Sequence, residues 1–187
     1  MRERKACCED PAQRCGTRWK ELCAWVGKVT GKGWRLVELQ GDEQGRAPFF
    51  AQPVGYDGRT FFIARDGLCD TEKLMHEACH FLMSPKERRH LANYGLGPGP
   101  FRPVDDLTSD NEEVAVTLLQ YKLAARFSLP EEKLAKPDYN VANKRHLDWD
   151  DCHARADALF EQIAPSLPAL PPGAVDAQAP KRGRKRR

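Results

Sequence analysis

The pentapeptide His76-Glu77-Ala78-Cys79-His80 constrains this chain more than any other stretch. Leu74, Met75, Ala78, Cys79, Phe81, Leu82 and Met83 surround its three polar residues, and Pro85 follows where a helix must stop. On a helix, residues four apart lie one above the other. Both imidazoles then reach a single metal ion, while Glu77, one step round, touches a water bound to it. With five His and thirteen Glu in 187 residues, the pattern arises by chance in roughly one such chain in a hundred, so spacing alone is only suggestive. The apolar setting adds a physical argument, because two histidines and a glutamate inside an apolar helix cost free energy unless paired or ligated. The expectation is a mononuclear metal site; the alternative is a pair of core histidines satisfied by backbone or by a carboxylate.

The remainder must build a fold around that helix. A chain of 187 residues that is 41% hydrophobic and 30% charged is ordinary for one soluble domain with a real core. The formal charge of +3 belongs to the end of the chain: Lys181 to Arg187 carry six positive charges, leaving 24 basic against 27 acidic residues elsewhere. Before that tail, Pro165, Pro168, Pro171, Pro172 and Gly173 read as linker. The expected organisation is an N-terminal extension over 1–16, a metal-binding domain over 17–166, and a Pro-rich linker with a disordered basic tail over 167–187. Residues 181–187 offer at most a weak nucleic-acid contact or a localisation signal, because no aromatic side chain is interleaved to stack on bases. No stretch has the length of a signal peptide or a membrane span, so a cytoplasmic protein without membrane contact is expected. The seven cysteines, at 7, 8, 15, 23, 69, 79 and 152, lack C-x-x-C pairing and read as free thiols.

The coarse order is helix, strands, helices. Trp19, Leu22, Cys23, Trp25, Val26 and Val29 recur at helical spacing over 18–29 and end at Gly31. Three strands are expected at 34–39, 48–54 and 60–64, with a hairpin turn at Tyr56-Asp57-Gly58, and together they make a small antiparallel sheet. Its last strand precedes the metal helix and offers an edge to an extended peptide. Ser84-Pro85-Lys86-Glu87 reads as a capping box opening a short helix to Asn93, and Ser109-Asp110-Asn111-Glu112 as another opening a helix to Phe127. A last helix over 147–163 buries Cys152, Ala156, Leu159, Phe160 and Ile163. The fold class expected is α+β, a small antiparallel sheet packed on the metal helix and further helices.

A catalytic site of this kind takes three protein ligands and keeps one position open. Met83 and Lys86 stand where a longer H-E-x-x-H-x-x-G-x-x-H motif needs Gly and His, so the third ligand comes from another segment. Glu112 and Glu113 are the candidates. If the capping box holds Glu112 on backbone N–H groups, Glu113 is released for the metal, and that arrangement is preferred. His90, Asp105 and Asp106 are weaker candidates. Tyr94 is named as a catalytic residue that stabilises an oxyanion, with His90, His146 and His153 behind it. Arg88 and Arg89 either contact an acidic partner or form a solvated face.

Over residues 60–127 the succession of apolar strand, H-E-x-x-H helix and later glutamate resembles the zincin fold of metallopeptidases, in whose glutamate members an N-E-x-x-A pattern like that at Glu112 supplies the ligand. More narrowly, His76-Glu77-x-x-His80 followed by Arg88-Arg89-x-Leu91-x-x-Tyr94-Gly95 resembles the elongation factor P hydroxylase family, whose carboxylate falls on Glu113 in an ungapped match. These resemblances imply a zincin-like domain holding Zn2+ or, alternatively, Fe2+. Two histidines and a carboxylate serve both metals. The favoured expectation is a zinc-type metallopeptidase acting on a protein or peptide, with His76, His80 and Glu113 or Glu112 as ligands and Glu77 as general base. The alternatives are an iron-dependent protein hydroxylase and a non-catalytic metal-binding regulator.

Overall fold

The computed structural model describes residues 18–30, 34–36, 61–63, 71–89, 91–96, 104–138, 141 and 144–175. Four α-helices dominate them: α1 (Trp19–Thr30), α2 (Thr71–Met83), α3 (Asp106–Ala124) and α4 (Trp149–Ile163). Helix accounts for 67% of the interpretable residues, which overturns the expected α+β class with its antiparallel sheet. The extended pairing that is present joins two three-residue segments, β1 (Trp34–Leu36) and β2 (Phe61–Ile63), in parallel, with Trp34 opposite Phe61. The expected strand at 48–54 and turn at 56–58 lie outside the described residues, as does the basic tail.

Helix α3 is the centre of the fold. Every residue from Val114 to Gln120 is buried, and α3 packs against α2 on one side and most extensively against α4 on the other. Val114, Val116 and Thr117 are indifferent helix formers, each costing at most about 0.7 kcal/mol relative to alanine. Full burial of a large apolar side chain contributes about 1.5–3 kcal/mol, so packing outweighs propensity here. Asp105 starts α3 one turn earlier than the expected serine: its Oδ1 accepts from the Thr108 amide at 2.9 Å, and Thr108 Oγ1 donates to Oδ2 at 2.8 Å. Asp148 caps α4 in the same way, accepting from the Asp151 amide at 3.0 Å.

Helix α1 covers α2 and buries Trp19, Leu22, Cys23, Trp25 and Val26. The Trp25 ring lies 5.4 Å from the Phe127 ring, and its Nε1 donates to Ser166 Oγ at 3.2 Å. Arg126 and Arg18 donate to the carbonyls of Pro168 and Ala169, at 3.3 and 2.6 Å, tying the segment after α4 back onto α1. The expected short helix from Pro85 is instead a run of turns, closed by Arg88 N–H to Pro85 O at 2.9 Å and ending in a 3-10 turn, Ala92–Gly95. Ser84 does not cap it, because its hydroxyl is used elsewhere.

Candidate metal centre

Helix α2 carries His76 and His80 on the face turned toward α3, and α3 brings Glu113 to meet them. The two Nε2 atoms lie 3.1 Å apart. Glu113 reaches both rings, with Oε1 3.3 Å from His76 Nε2 and Oε2 3.1 Å from His80 Nε2. Core histidines satisfied one by one by backbone would not aim equivalent nitrogens at one point. A tetrahedral zinc ion bonded at about 2.0–2.1 Å sets its ligand atoms about 3.3–3.4 Å apart, and an octahedral ion at about 2.1 Å sets neighbours about 3.0 Å apart. The 3.1 Å between the two imidazole nitrogens falls in that range, and with one ligand atom from each residue the three lie within 4.8 Å of one another, so His76, His80 and Glu113 form a group that could hold a metal ion without choosing its identity. His76 and Glu113 keep about a fifth of their side-chain surface accessible, 20% and 19%, which leaves room for a further ligand.

The charges are mutually adjusted. Burial is the largest influence on His76 and opposes its charged form, but the hydrogen bond and charge of Glu113, aided by Glu77 and Gln120, together outweigh it and raise the imidazole to about 9. Burial likewise pushes the Glu113 carboxyl upward, yet its hydrogen bonds to the two histidines and their charges hold it far below the usual carboxylate range. Glu77 is raised, first by burial and further by the nearby Glu113 charge, against the pull of His80 and His76. Cys79, inside the motif, is buried and its thiol is pushed up by burial and by Glu77, so it stays protonated rather than competing as a ligand.

Gln120, about two turns along α3 from Glu113, is a site residue that the sequence did not signal. Its Nε2 donates to the main-chain carbonyl of Glu72 at 2.9 Å, which turns its Oε1 toward His76 Nδ1 at 3.2 Å. An acceptor at Nδ1 keeps a proton on that nitrogen, so Nε2 is the atom that would give up its proton to take a cation. No local pattern marks an amide for this role; only its complete burial in an apolar helix, known after folding, singles it out. Gln120→Leu is expected to weaken metal binding by about 10- to 100-fold while helicity is unchanged, measured by competition with a chromophoric chelator. His80 Nδ1, in contrast, is buried with no hydrogen-bond partner among the described residues.

Glu112 does not reach the histidines. It is 1% exposed, accepts from the Ser84 hydroxyl at 3.0 Å, and is paired with the Arg88 guanidinium, with Arg155 3.7 Å away. Glu113, and not Glu112, stands with the two histidines in the group that could hold a metal ion, and Glu112 is occupied by a buried ion pair rather than by helix capping. Tyr94 is buried, its hydroxyl donates to the Glu77 carbonyl at 2.8 Å and also lies by the Glu77 carboxyl, and its ring stacks on His80 with centroids 5.4 Å apart. That arrangement steadies Glu77 and does not present the hydroxyl to an oxyanion. Asp105 is spent as a cap and Asp106 is exposed in the first turn of α3, while His146 is exposed and His153 sits by Trp149 on α4. His90 lies outside the described residues. Arg89 donates to the carbonyls of Ser84 and Leu82, at 2.9 and 3.2 Å, and lies over the Phe81 ring, so it closes the C-terminal end of α2.

No described helix is long and apolar enough to cross a membrane. Comparison with known proteins finds no family model, no curated protein and no solved structure that matches this chain.

Proposed function

We propose that this protein is a mononuclear metal-dependent hydrolase, of the zinc type, that cleaves amide bonds in a protein or peptide. The observation that carries the reading is the convergence of His76 Nε2, His80 Nε2 and the Glu113 carboxylate within 3.1–3.3 Å of one another, with Glu77 beside them on the same helix. His76, His80 and Glu113 would hold the ion. When bound, zinc supplies Lewis acidity and activation of water. Glu77 takes the proton of the attacking water and delivers it to the leaving amine. Tyr94 holds the Glu77 main chain, and Gln120 holds the His76 ring.

A second reading is supported by the resemblance of His76-Glu77-x-x-His80 and Arg88-Arg89-x-Leu91-x-x-Tyr94-Gly95 to the elongation factor P hydroxylases. Two histidines and one carboxylate on one face also suit iron, and the reaction would then be protein hydroxylation. Glu77 favours hydrolysis, since an oxygenase needs no carboxylate base beside the ligands.

Elemental analysis of protein purified without added metal separates these readings. Zinc at one equivalent, with peptide cleavage reduced at least about a hundredfold in Glu77→Gln and zinc retained, is the expected result. Iron with oxygen consumption moves the assignment to hydroxylation, and absence of both metals leaves a regulatory binding protein.

A further inference from the structure

We infer that Arg88 is a positioning residue for the metal centre, acting through Tyr94, rather than a surface charge for an acidic partner. The side chain of Arg88 is only 13% exposed, and both ends of its guanidinium are engaged. One nitrogen pairs with buried Glu112 on α3, and Nη1 donates to the Tyr94 carbonyl at 3.0 Å. Tyr94 stands at φ 56°, a left-handed conformation that a tyrosine seldom adopts unless its surroundings impose it.

Three contacts impose it. Arg88 holds the carbonyl, the Glu77 main chain takes the hydroxyl, and the ring lies nearly parallel to His80, 17° between planes. The Arg88 fork is matched to this task because it satisfies two acceptors at once, which a lysine ammonium on a flexible stem does less well. Arg88 thus links the helix that supplies Glu113 to the turn that seats Tyr94, and Tyr94 in turn touches His80 and Glu77. Glu112 and Glu113, adjacent in sequence, serve one centre in two ways: one is a ligand, the other anchors the arginine.

Arg88→Met alone leaves Glu112 buried without its partner and risks unfolding, so the test uses Arg88→Met/Glu112→Met, an apolar replacement of the pair, beside Arg88→Lys. The first readout needs no metal: the ring resonances of His80 in two-dimensional 1H–15N NMR of the metal-free protein. Both variants are expected to keep wild-type helicity by circular dichroism while the His80 ring signals move, because the stacked Tyr94 ring is released. The second readout, which rests on the metal reading above, is Co2+ titration followed by visible absorption; about tenfold weaker binding and an altered spectrum are expected. Unmoved His80 signals in the folded double variant overturn the positioning role. Failure of the unsubstituted protein to bind Co2+ or Zn2+ overturns the metal reading instead, and the NMR result still decides this one.

Discussion

Glu113→Ala is expected to lower metal affinity by on the order of a thousandfold while leaving the helical fold intact. Glu113 contacts both imidazoles and is one of the three residues of the group that could hold a metal ion. Structural zinc sites bind with about 10–16 kcal/mol, so an equal share for one ligand is about 4 kcal/mol, or about three decades in Kd. Its side chain is 19% exposed and lies at the edge of the core, so removing it opens no large cavity. Chelator competition measures the affinity and circular dichroism the helicity. Affinity unchanged in Glu113→Ala would mean that the convergence on α2 is a hydrogen-bonded core cluster and that the metal assignment fails.

The neighbouring substitution should behave in the opposite way. Glu112→Ala is expected to destabilise the protein by about 3–5 kcal/mol, because it leaves the largely buried Arg88 guanidinium without its counter-ion and the buried Ser84 hydroxyl without its acceptor. Against a total stability of about 5–15 kcal/mol for a domain, that loss leaves part of the population unfolded at 37 °C. Urea unfolding followed by circular dichroism gives the magnitude. Glu112→Gln should lose less, since the amide oxygen still accepts from one of the two donors, Ser84 or Arg88, and no unpaired charge is left on position 112. A cost below about 1 kcal/mol for Glu112→Ala would place the pair in the class of exposed salt bridges and remove its claim to anchor Arg88.

Much of the helical content was legible from spacing. The periods over 18–29, 74–83 and 147–163 correspond to α1, α2 and α4, because each of these helices buries one face and exposes the other. Helix α3 was legible as a helix but not as the centre of the fold: Val116, Thr117 and Gln120 are buried off the expected stripe, since neighbours cover it on more than one side. Both serine capping boxes failed for a common reason. A four-residue pattern marks groups able to cap, but Asp105 claimed the free amides of α3 first, and Glu112 took the Ser84 hydroxyl. The antiparallel sheet failed because apolar alternation marks extended propensity without naming a partner. The pairing of β1 with β2 is parallel and is a long-range choice.

The amino-acid sequence by itself determined that His76 and His80 share a face of one helix, because four residues nearly complete a turn and Pro85 confines where that helix ends. It also narrowed the third ligand to two adjacent carboxylates. Only the tertiary structure shows which of them stands beside the histidines: successive residues point about 100° apart around α3, so the rotation of that helix against α2 sends Glu113 to the imidazoles and Glu112 to Arg88. Gln120 and Arg88 entered the site, and Tyr94 took a different place in it from the one expected, for the same reason. Their roles depend on which buried polar atoms meet when separate segments pack, and a buried donor or acceptor left alone costs too much for that meeting to be indifferent.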